Sequence, residues 1–307
     1  MQKFADRLTD LMTRRDSAVC VGLDPRVDRI PAEITDRAHK QHGRTLEGVV
    51  EAVRIFCSEV IEAVRESVVA VKPQVAYFER LGWRGLRVYA EVCRVAREAG
   101  VLVIADVKRN DIGSTASAYA SGWLGQQDFG EGPGRVWEVD ALTVNPYLGH
   151  DGIDPFIDEA ARTGTGLFVL VRTSNESARQ LQDVTSDGKK LFERVAEWVD
   201  SRADALLGAC GYSGLGAVVG ATYPEELRQL RSQMPRALFL VPGYGAQGGS
   251  AEDVAGAFDS NGMGAVVNAS RSIIYAHEKS AETSWQQAVQ EAAEEMRGQL
   301  NRVRKHR

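Results

Sequence analysis

A (β/α)8 TIM barrel, an α/β fold closing as one domain over residues 1–307, is the architecture this sequence predicts. Three observations lead there. Eight short runs rich in Val, Ile and Leu recur at a step of roughly 30 residues, without the polar alternation of a half-exposed strand, as expected of strands buried on both faces of a parallel sheet. Segments with helical spacing separate them. The first run ends in Gly22-Leu-Asp-Pro-Arg26, with none of the glycine fingerprint that opens the competing doubly wound dinucleotide fold.

The runs are Ala18–Leu23, Val68–Val71, Val101–Val107, Val139–Val144, Gly166–Val171, Gly216–Val219, Ala237–Val241 and Gly264–Val267. The N-terminal stretch through Asp16 is amphipathic and charged, and reads as a helix ahead of the first strand. Leu46–Val68 places Val49, Val53, Phe56, Val60 and Val64 on one helical face. Thr222-Tyr-Pro-Glu225 reads as a capping box, opening a helix that turns Leu227, Leu230 and Met234 inward. Ser250, followed by Glu252 and Asp253, marks another start, where acids suit the positive end of the helix dipole. The last helix is expected from Thr283 to Val303, with Arg302, Arg304, Lys305 and Arg307 as a solvated tail. Length beyond a minimal barrel falls in insertions near residues 28–44, 122–135 and 175–214.

At 44% hydrophobic and 26% charged residues, the chain is neither disordered, collagen-like nor coiled coil. A net charge of −5 opposes an extensive nucleic-acid surface, so no nucleic-acid partner is expected. Four dispersed cysteines form no C-x-x-C, and five histidines form no H-x-x-x-H, so no metal site is expected. No apolar stretch approaches the ~18 residues of a membrane span, and the N-terminus lacks a signal-like core. A cytoplasmic protein with no membrane partner is the expectation.

Polar residues just past the carboxyl ends of barrel strands converge on one face. Here they are Asp24, Lys72, the segment Asp106-Val-Lys108-Arg-Asn-Asp111, Thr173-Ser174, the loop Pro242–Gln247 and Asn268–Arg271. Asp106 and Lys108 are two apart, so an extended strand aims both to one side, with Asp111 beyond the strand. Charges leaving a buried strand are unfavourable unless paired, and a lysine between two aspartates stays protonated and able to donate to a carbanion. Lys72 extends the set to Lys-Asp-Lys-Asp. The loops after strands seven and eight suit a phosphate: Gly243, Gly245, Gly248 and Gly249 admit close backbone approach, Gln247 offers an amide, and Arg271 a planar fork.

With these residues in view, the chain resembles the orotidine 5′-phosphate decarboxylase family in its longer bacterial form. The resemblance spans nearly the whole chain and rests on V-G-L-D-P-R (Val21–Arg26), V-K-P-Q (Val71–Gln74), A-D-V-K-R-N-D-I-G-S-T (Ala105–Thr115), V-N-P-Y-L-G (Val144–Gly149), V-P-G-Y-G-A-Q-G-G (Val241–Gly249) and N-A-S-R-S-I (Asn268–Ile273). It implies a carboxy-lyase that converts orotidine 5′-phosphate to uridine 5′-phosphate and CO2, the last step of de novo pyrimidine nucleotide synthesis, with no cofactor. It further implies Lys108 as proton donor, Asp106 beside the departing CO2, and Asp111 and Thr115 arriving from the other subunit of a homodimer with shared active sites. Asp24 and Lys72 are implied at the ribose, Gln247 and Arg271 at the phosphate, Pro242 against the base and Ser174 at the pyrimidine amide.

Two other readings fit parts of the pattern. A Mg-dependent keto-sugar-phosphate decarboxylase shares D-x-K-x-x-D, although Lys72, the Gln247 loop and Arg271 together favour the nucleotide. A non-catalytic nucleotide-binding barrel would be marked by loss of Lys108 or an aspartate, and all are present.

Overall fold

The computed structural model describes residues 2–130, 132–245, 248–279 and 283–305. Its eight long strands are parallel and close on themselves. They are β1 (Val19–Leu23), β2 (Ala70–Pro73), β3 (Leu102–Arg109), β4 (Ala141–Val144), β5 (Gly166–Arg172), β6 (Ser213–Val219), β7 (Ala237–Val241) and β8 (Ala265–Ala269). Each pairs with its neighbours in sequence, and β8 returns to β1 with Val267 opposite Val19. Every apolar run of the sequence is therefore a barrel strand, and nearly every strand residue is buried, as a sheet wrapped by helices requires.

The strand limits differ from the apolar runs where burial and pairing part company. Val68 and Val69 are as buried as any strand residue, but the β2 ladder begins at Ala70, so Lys72 sits inside the strand opposite Gly22. β6 starts earlier than its apolar run, at Ser213, whose buried hydroxyl donates to Ala203 O at 2.6 Å and accepts from Leu215 N.

Helix α1 (Phe4–Arg14) packs against the amino-terminal ends of the strands. A Cβ on Gly166 would lie 2.2 Å from the Phe4 ring, so only glycine admits this contact at the start of β5. The first insertion carries α2 (Ala32–His42), which packs on α3 (Leu46–Val64). α3 ends four residues before the expected Val68, and its buried face is wider than one stripe because α2, α5 (Gly82–Glu98) and α13 (Trp285–Arg304) also lie against it. Between α3 and α5 stands the short α4 (Val75–Glu79). After α6 (Gly113–Leu124), a two-residue hairpin, Gln127–Asp128 with Pro133–Gly134, occupies the second insertion. α7 (Asp154–Thr163) leads into β5. The third insertion holds α8 (Arg179–Gln182), a hairpin of Thr185–Ser186 with Lys189–Lys190, and α9 (Leu191–Ser201).

The capping box expected at Thr222–Glu225 does not form. α10 (Pro224–Gln233) opens on a proline, whose missing N–H needs no cap; Tyr223 precedes it without a side-chain bond and the Thr222 hydroxyl is buried without a partner. Leu227, Leu230 and Met234 are nevertheless buried, as their spacing requires. Ser250 does cap α11 (Ala251–Val254), in a reciprocal box with Asp253. After α12 (Arg271–Ile274), α13 begins behind the cap Ser284.

The basic tail is not solvated throughout. Arg304 continues the inward line of Ala293, Met296 and Leu300, is 6% exposed, and reaches Asp16 Oδ1 at 2.6 Å and Gly262 O at 3.2 Å. Arg302 and Lys305 are exposed, and Arg307 lies outside the described residues. All four cysteines are free thiols, three of them buried. Among the described residues no helix is long and apolar enough to cross a membrane, and no cluster of His, Cys, Asp or Glu has the makings of a metal site.

Candidate active site

The carboxyl ends of β2 through β7 surround a cleft of about 370 Å³. Lys72, Asp106, Lys108 and Thr143 line one side, with Ser174 and Pro242 also on its wall. Leu170, Val218 and Leu240 give it an apolar floor beside the charges.

Asp106 is the hub. Its Oδ2 accepts from Lys72 Nζ at 2.5 Å and from Gln74 Nε2 at 3.0 Å, and its Oδ1 from Lys108 Nζ at 2.5 Å and Thr143 Oγ1 at 3.1 Å. Burial alone would raise the Asp106 carboxyl, but the two ammonium groups outweigh it and hold it well below the usual carboxylate range. Burial likewise opposes the Lys72 charge, and Asp106 and Asp24 overcome it, raising Lys72 above an ordinary lysine. Asp106 is 5% and Lys72 6% exposed, whereas the Lys108 side chain remains 46% exposed, so Lys108 is the most open of the three charges that line the cleft.

Lys108 reaches its place by a route the strand pattern does not contain. Its φ is +47°, in the left-handed region, and the β3–β4 register breaks between Ala105 and Arg109. Such a conformation costs a non-glycine residue about 1–3 kcal/mol and persists only when its surroundings impose it. Here they do. The irregularity takes Val107 N–H and Lys108 N–H off the ladder, and Thr143 Oγ1 accepts both at 3.0 Å while giving its own proton to Asp106. One hydroxyl thereby fixes both the backbone of the outer lysine and the carboxylate it faces. The expectation of a regularly extended Asp106–Lys108 is thus corrected: the two meet through a bulge.

The other expected residues lie around the rim. Asp24 follows β1; its backbone carbonyl accepts from Tyr275 Oη at 2.9 Å, and its Oδ1 is buried with no partner among the described residues. Arg271 follows β8, is exposed, and makes no ion pair among the described residues. Gly249 N–H donates to Gly243 O and Gly245 N–H to Gly249 O, folding the glycine-rich loop on itself. Gln247 lies outside the described residues. Asp111 and Thr115 do not join the cluster within this chain: Asp111 Oδ1 accepts the N–H of Ile112, and Thr115 is exposed on α6. Two members of the cluster, Thr143 and Gln74, are not among the site residues the sequence predicts. A lone threonine in the apolar run Ala141-Leu-Thr-Val144, and the glutamine two places after Lys72, were the available signals.

The family model described as orotidine 5′-phosphate decarboxylase / HUMPS family matches residues 17–284. The chain is 47% identical over 306 residues to the orotidine 5′-phosphate decarboxylase of Rhodopirellula baltica, covering 98% of this chain and 99% of that protein. It is 41% identical to that of Deinococcus radiodurans, with 97% of each covered. Among solved structures, the orotidine 5′-monophosphate decarboxylase of Leishmania donovani superposes with a TM-score of 0.74 at 31% identity, covering 99% of both chains.

Proposed function

This chain belongs to the orotidine 5′-phosphate decarboxylase / HUMPS family, and we propose that it converts orotidine 5′-phosphate to uridine 5′-phosphate and CO2 without a cofactor, as the last step of de novo pyrimidine nucleotide synthesis. The observation that carries this reading is the cluster of Lys72, Asp106 and Lys108 at the mouth of the barrel, with one carboxylate fixed between two ammonium groups over an apolar floor.

In the proposed reaction the bond between C6 of the pyrimidine and its carboxylate breaks, CO2 leaves, and the electron pair stays on C6. Lys108 Nζ gives C6 a proton and recovers one from water. No ring atom delocalises that electron pair well, so stabilisation must come from fixed charge. Asp106, too acidic to be protonated at neutral pH, stands beside the substrate carboxylate and disfavours it relative to neutral CO2. Once CO2 departs, the negative charge lies next to Lys108, and a cluster already organised by Thr143 and Gln74 needs no rearrangement.

In the same reading Asp24 and Lys72 hold the ribose hydroxyls, Pro242 packs on the base, Ser174 meets the pyrimidine amide, and Gln247 with Arg271 grips the phosphate. Among the described residues the exposed Arg271 makes no ion pair and the buried Asp24 Oδ1 has no partner, as suits groups that meet a ligand. Asp111 and Thr115 come from the partner in a homodimer that shares its sites. The enzyme works in the cytoplasm.

The test is loss of orotidine 5′-phosphate absorbance on mixing with the purified protein. Turnover that EDTA leaves unchanged is expected. Turnover of a keto-sugar phosphate that requires Mg2+, with none of the nucleotide, would replace this reading by the sugar enzyme, and ligand binding without turnover by the nucleotide-binding barrel.

A further inference from the structure

Arg172, the last residue of β5, is fully buried, and its side chain bonds, among the described residues, to none of those assigned above to the reaction. Its Nε donates to Glu226 Oε2 at 2.6 Å and its Nη2 to Glu226 Oε1 at 3.3 Å, in the first turn of α10. Its Nη1 lies 2.8 Å from Asp183 Oδ1, just past α8, as an ion pair without hydrogen-bond geometry. The guanidinium is sandwiched between Tyr223, 4.2 Å from its ring centre, and Phe192, at 4.8 Å. A buried arginine with two acids and two aromatic faces joins three separate elements. Replacing such a set by apolar packing is often neutral or stabilising, so stability by itself does not account for it.

The next residues are the wall of the cleft. Thr173, Ser174 and Asn175 line it, together with Leu170. Beside it lies a second, half-open cavity of about 420 Å³ that shares Leu170 and Thr173 with the cleft and is bordered by residues 145–147 on one side and by Leu181, Gln182 and Phe192 of the third insertion on the other. Leu170 and Thr173 thus border both cavities, and what fixes Thr173 bears on the shape of the cleft. The third insertion supplies the support: Gln182 Oε1 accepts Thr173 N–H at 3.0 Å and its Nε2 donates to Thr173 Oγ1 at 2.7 Å, while the adjacent Asp183 holds Arg172. The β5–β6 register slips between Leu170 and Arg172, a bulge that re-aims the residues beyond it. Across the strand, Gly220 N–H donates to Arg172 O at 2.8 Å, and a Cβ on Gly220 would lie 2.9 Å from that of Ser174.

We propose that Arg172, clamped by Asp183 and Glu226, is a positioning residue that sets the wall 173–175 against the substrate base, and that the 175–214 insertion exists in part to supply Gln182 and Asp183 to it. The inference rests on the proposed reaction for the identity of the ligand. It predicts an effect confined to the base, because Arg271 and Asp24, assigned to phosphate and ribose, stand on other strands.

Calorimetric titration of Asp183→Asn and Arg172→Lys with uridine 5′-phosphate and with ribose 5-phosphate, which lacks the base, separates the possibilities. Binding of uridine 5′-phosphate should weaken about tenfold, as expected for displaced positioning groups, while ribose 5-phosphate binding stays unchanged. Equal loss for both ligands would mean general disruption and overturn the clamp, as would an unchanged uridine 5′-phosphate affinity. Asp183 is at the rim of the cluster, so its variant serves if Arg172→Lys does not fold. Failure of the unsubstituted protein to bind uridine 5′-phosphate would refute the proposed reaction, and amide exchange at Thr173 would then decide the clamp: faster exchange in Asp183→Asn supports it, and unchanged exchange overturns it.

Discussion

Lys108 Nζ meets Asp106 Oδ1 at 2.5 Å although the Lys108 backbone lies at φ +47°, a conformation a regular strand never supplies. The contact exists because Thr143 holds the bulge open from the neighbouring strand. The contact therefore depends on three residues drawn from two strands.

Replacing Lys108 by alanine should remove the proton donor and lower turnover of orotidine 5′-phosphate by at least 10²–10⁴-fold, the range general acid catalysis supplies. Circular dichroism should remain that of the parent protein, since the lysine side chain is half exposed. Full turnover by this variant would eliminate Lys108 as the donor.

Thr143→Val keeps the shape of the side chain but withdraws an acceptor from two N–H groups and a donor from Asp106. Each buried group left unpaired costs about 1–3 kcal/mol. Urea denaturation should show a loss of about 2–4 kcal/mol, and kcat should fall more than KM rises.

Asp106→Asn leaves the Lys72 ammonium buried without its counter-ion, which destabilises by about 3–5 kcal/mol. The pH dependence follows from the two shifts. Asp106 is held below its unfolded value of about 3.9, so its contribution is present above that pH and fades as pH falls below it. Lys72 is held above its unfolded value of about 10.4, so its contribution is present below that pH and fades as pH rises past it. Denaturation of the protein and of the Asp106→Asn, Lys72→Gln double variant should differ by a constant amount from about pH 5 to 9 and narrow below about pH 4.

Arg271→Ala should weaken orotidine 5′-phosphate binding tenfold or more, since a hydrogen bond to a charged group contributes about 1.5–3 kcal/mol. Turnover of the phosphate-free nucleoside orotidine should not change. An equal loss on both substrates would assign Arg271 to the reacting ring instead.

A 1:1 mixture of Lys108→Ala and Asp111→Ala, unfolded and refolded together, tests whether sites are shared. With Asp111 acting across a twofold dimer, mixed dimers carry one intact site and activity returns to about a quarter of the parent value. With Asp111 acting within its own chain, no mixture recovers activity.

Much of this was legible in the sequence. Continuous Val, Ile and Leu runs can be satisfied only by strands covered on both faces, and eight of them separated by helical segments leave a closed parallel barrel as the economical solution. Lys72, Asp106, Lys108, Ser174 and Pro242 could be placed at strand ends because every strand of such a barrel points the same way, and the structure brings all five to one cleft. Local rules failed where a neighbour intervened. Pro224 displaced the cap expected at Thr222, and Asp16, nearly the whole chain away, drew Arg304 out of solvent.

What the sequence determined by itself was the order of elements and the identity of the charged residues, since both follow from periodicity and from the rarity of charge at the end of a buried strand. Only the tertiary structure decided how those charges are held. The Thr143 hydroxyl, the Gln74 amide and the Arg172 clamp act across strands and loops distant in sequence, and a bulge at Lys108 replaces the geometry of the regular strand. Hydrogen bonds of that kind depend on which atoms the closed barrel brings within 3 Å of one another, and no spacing along the chain encodes that distance.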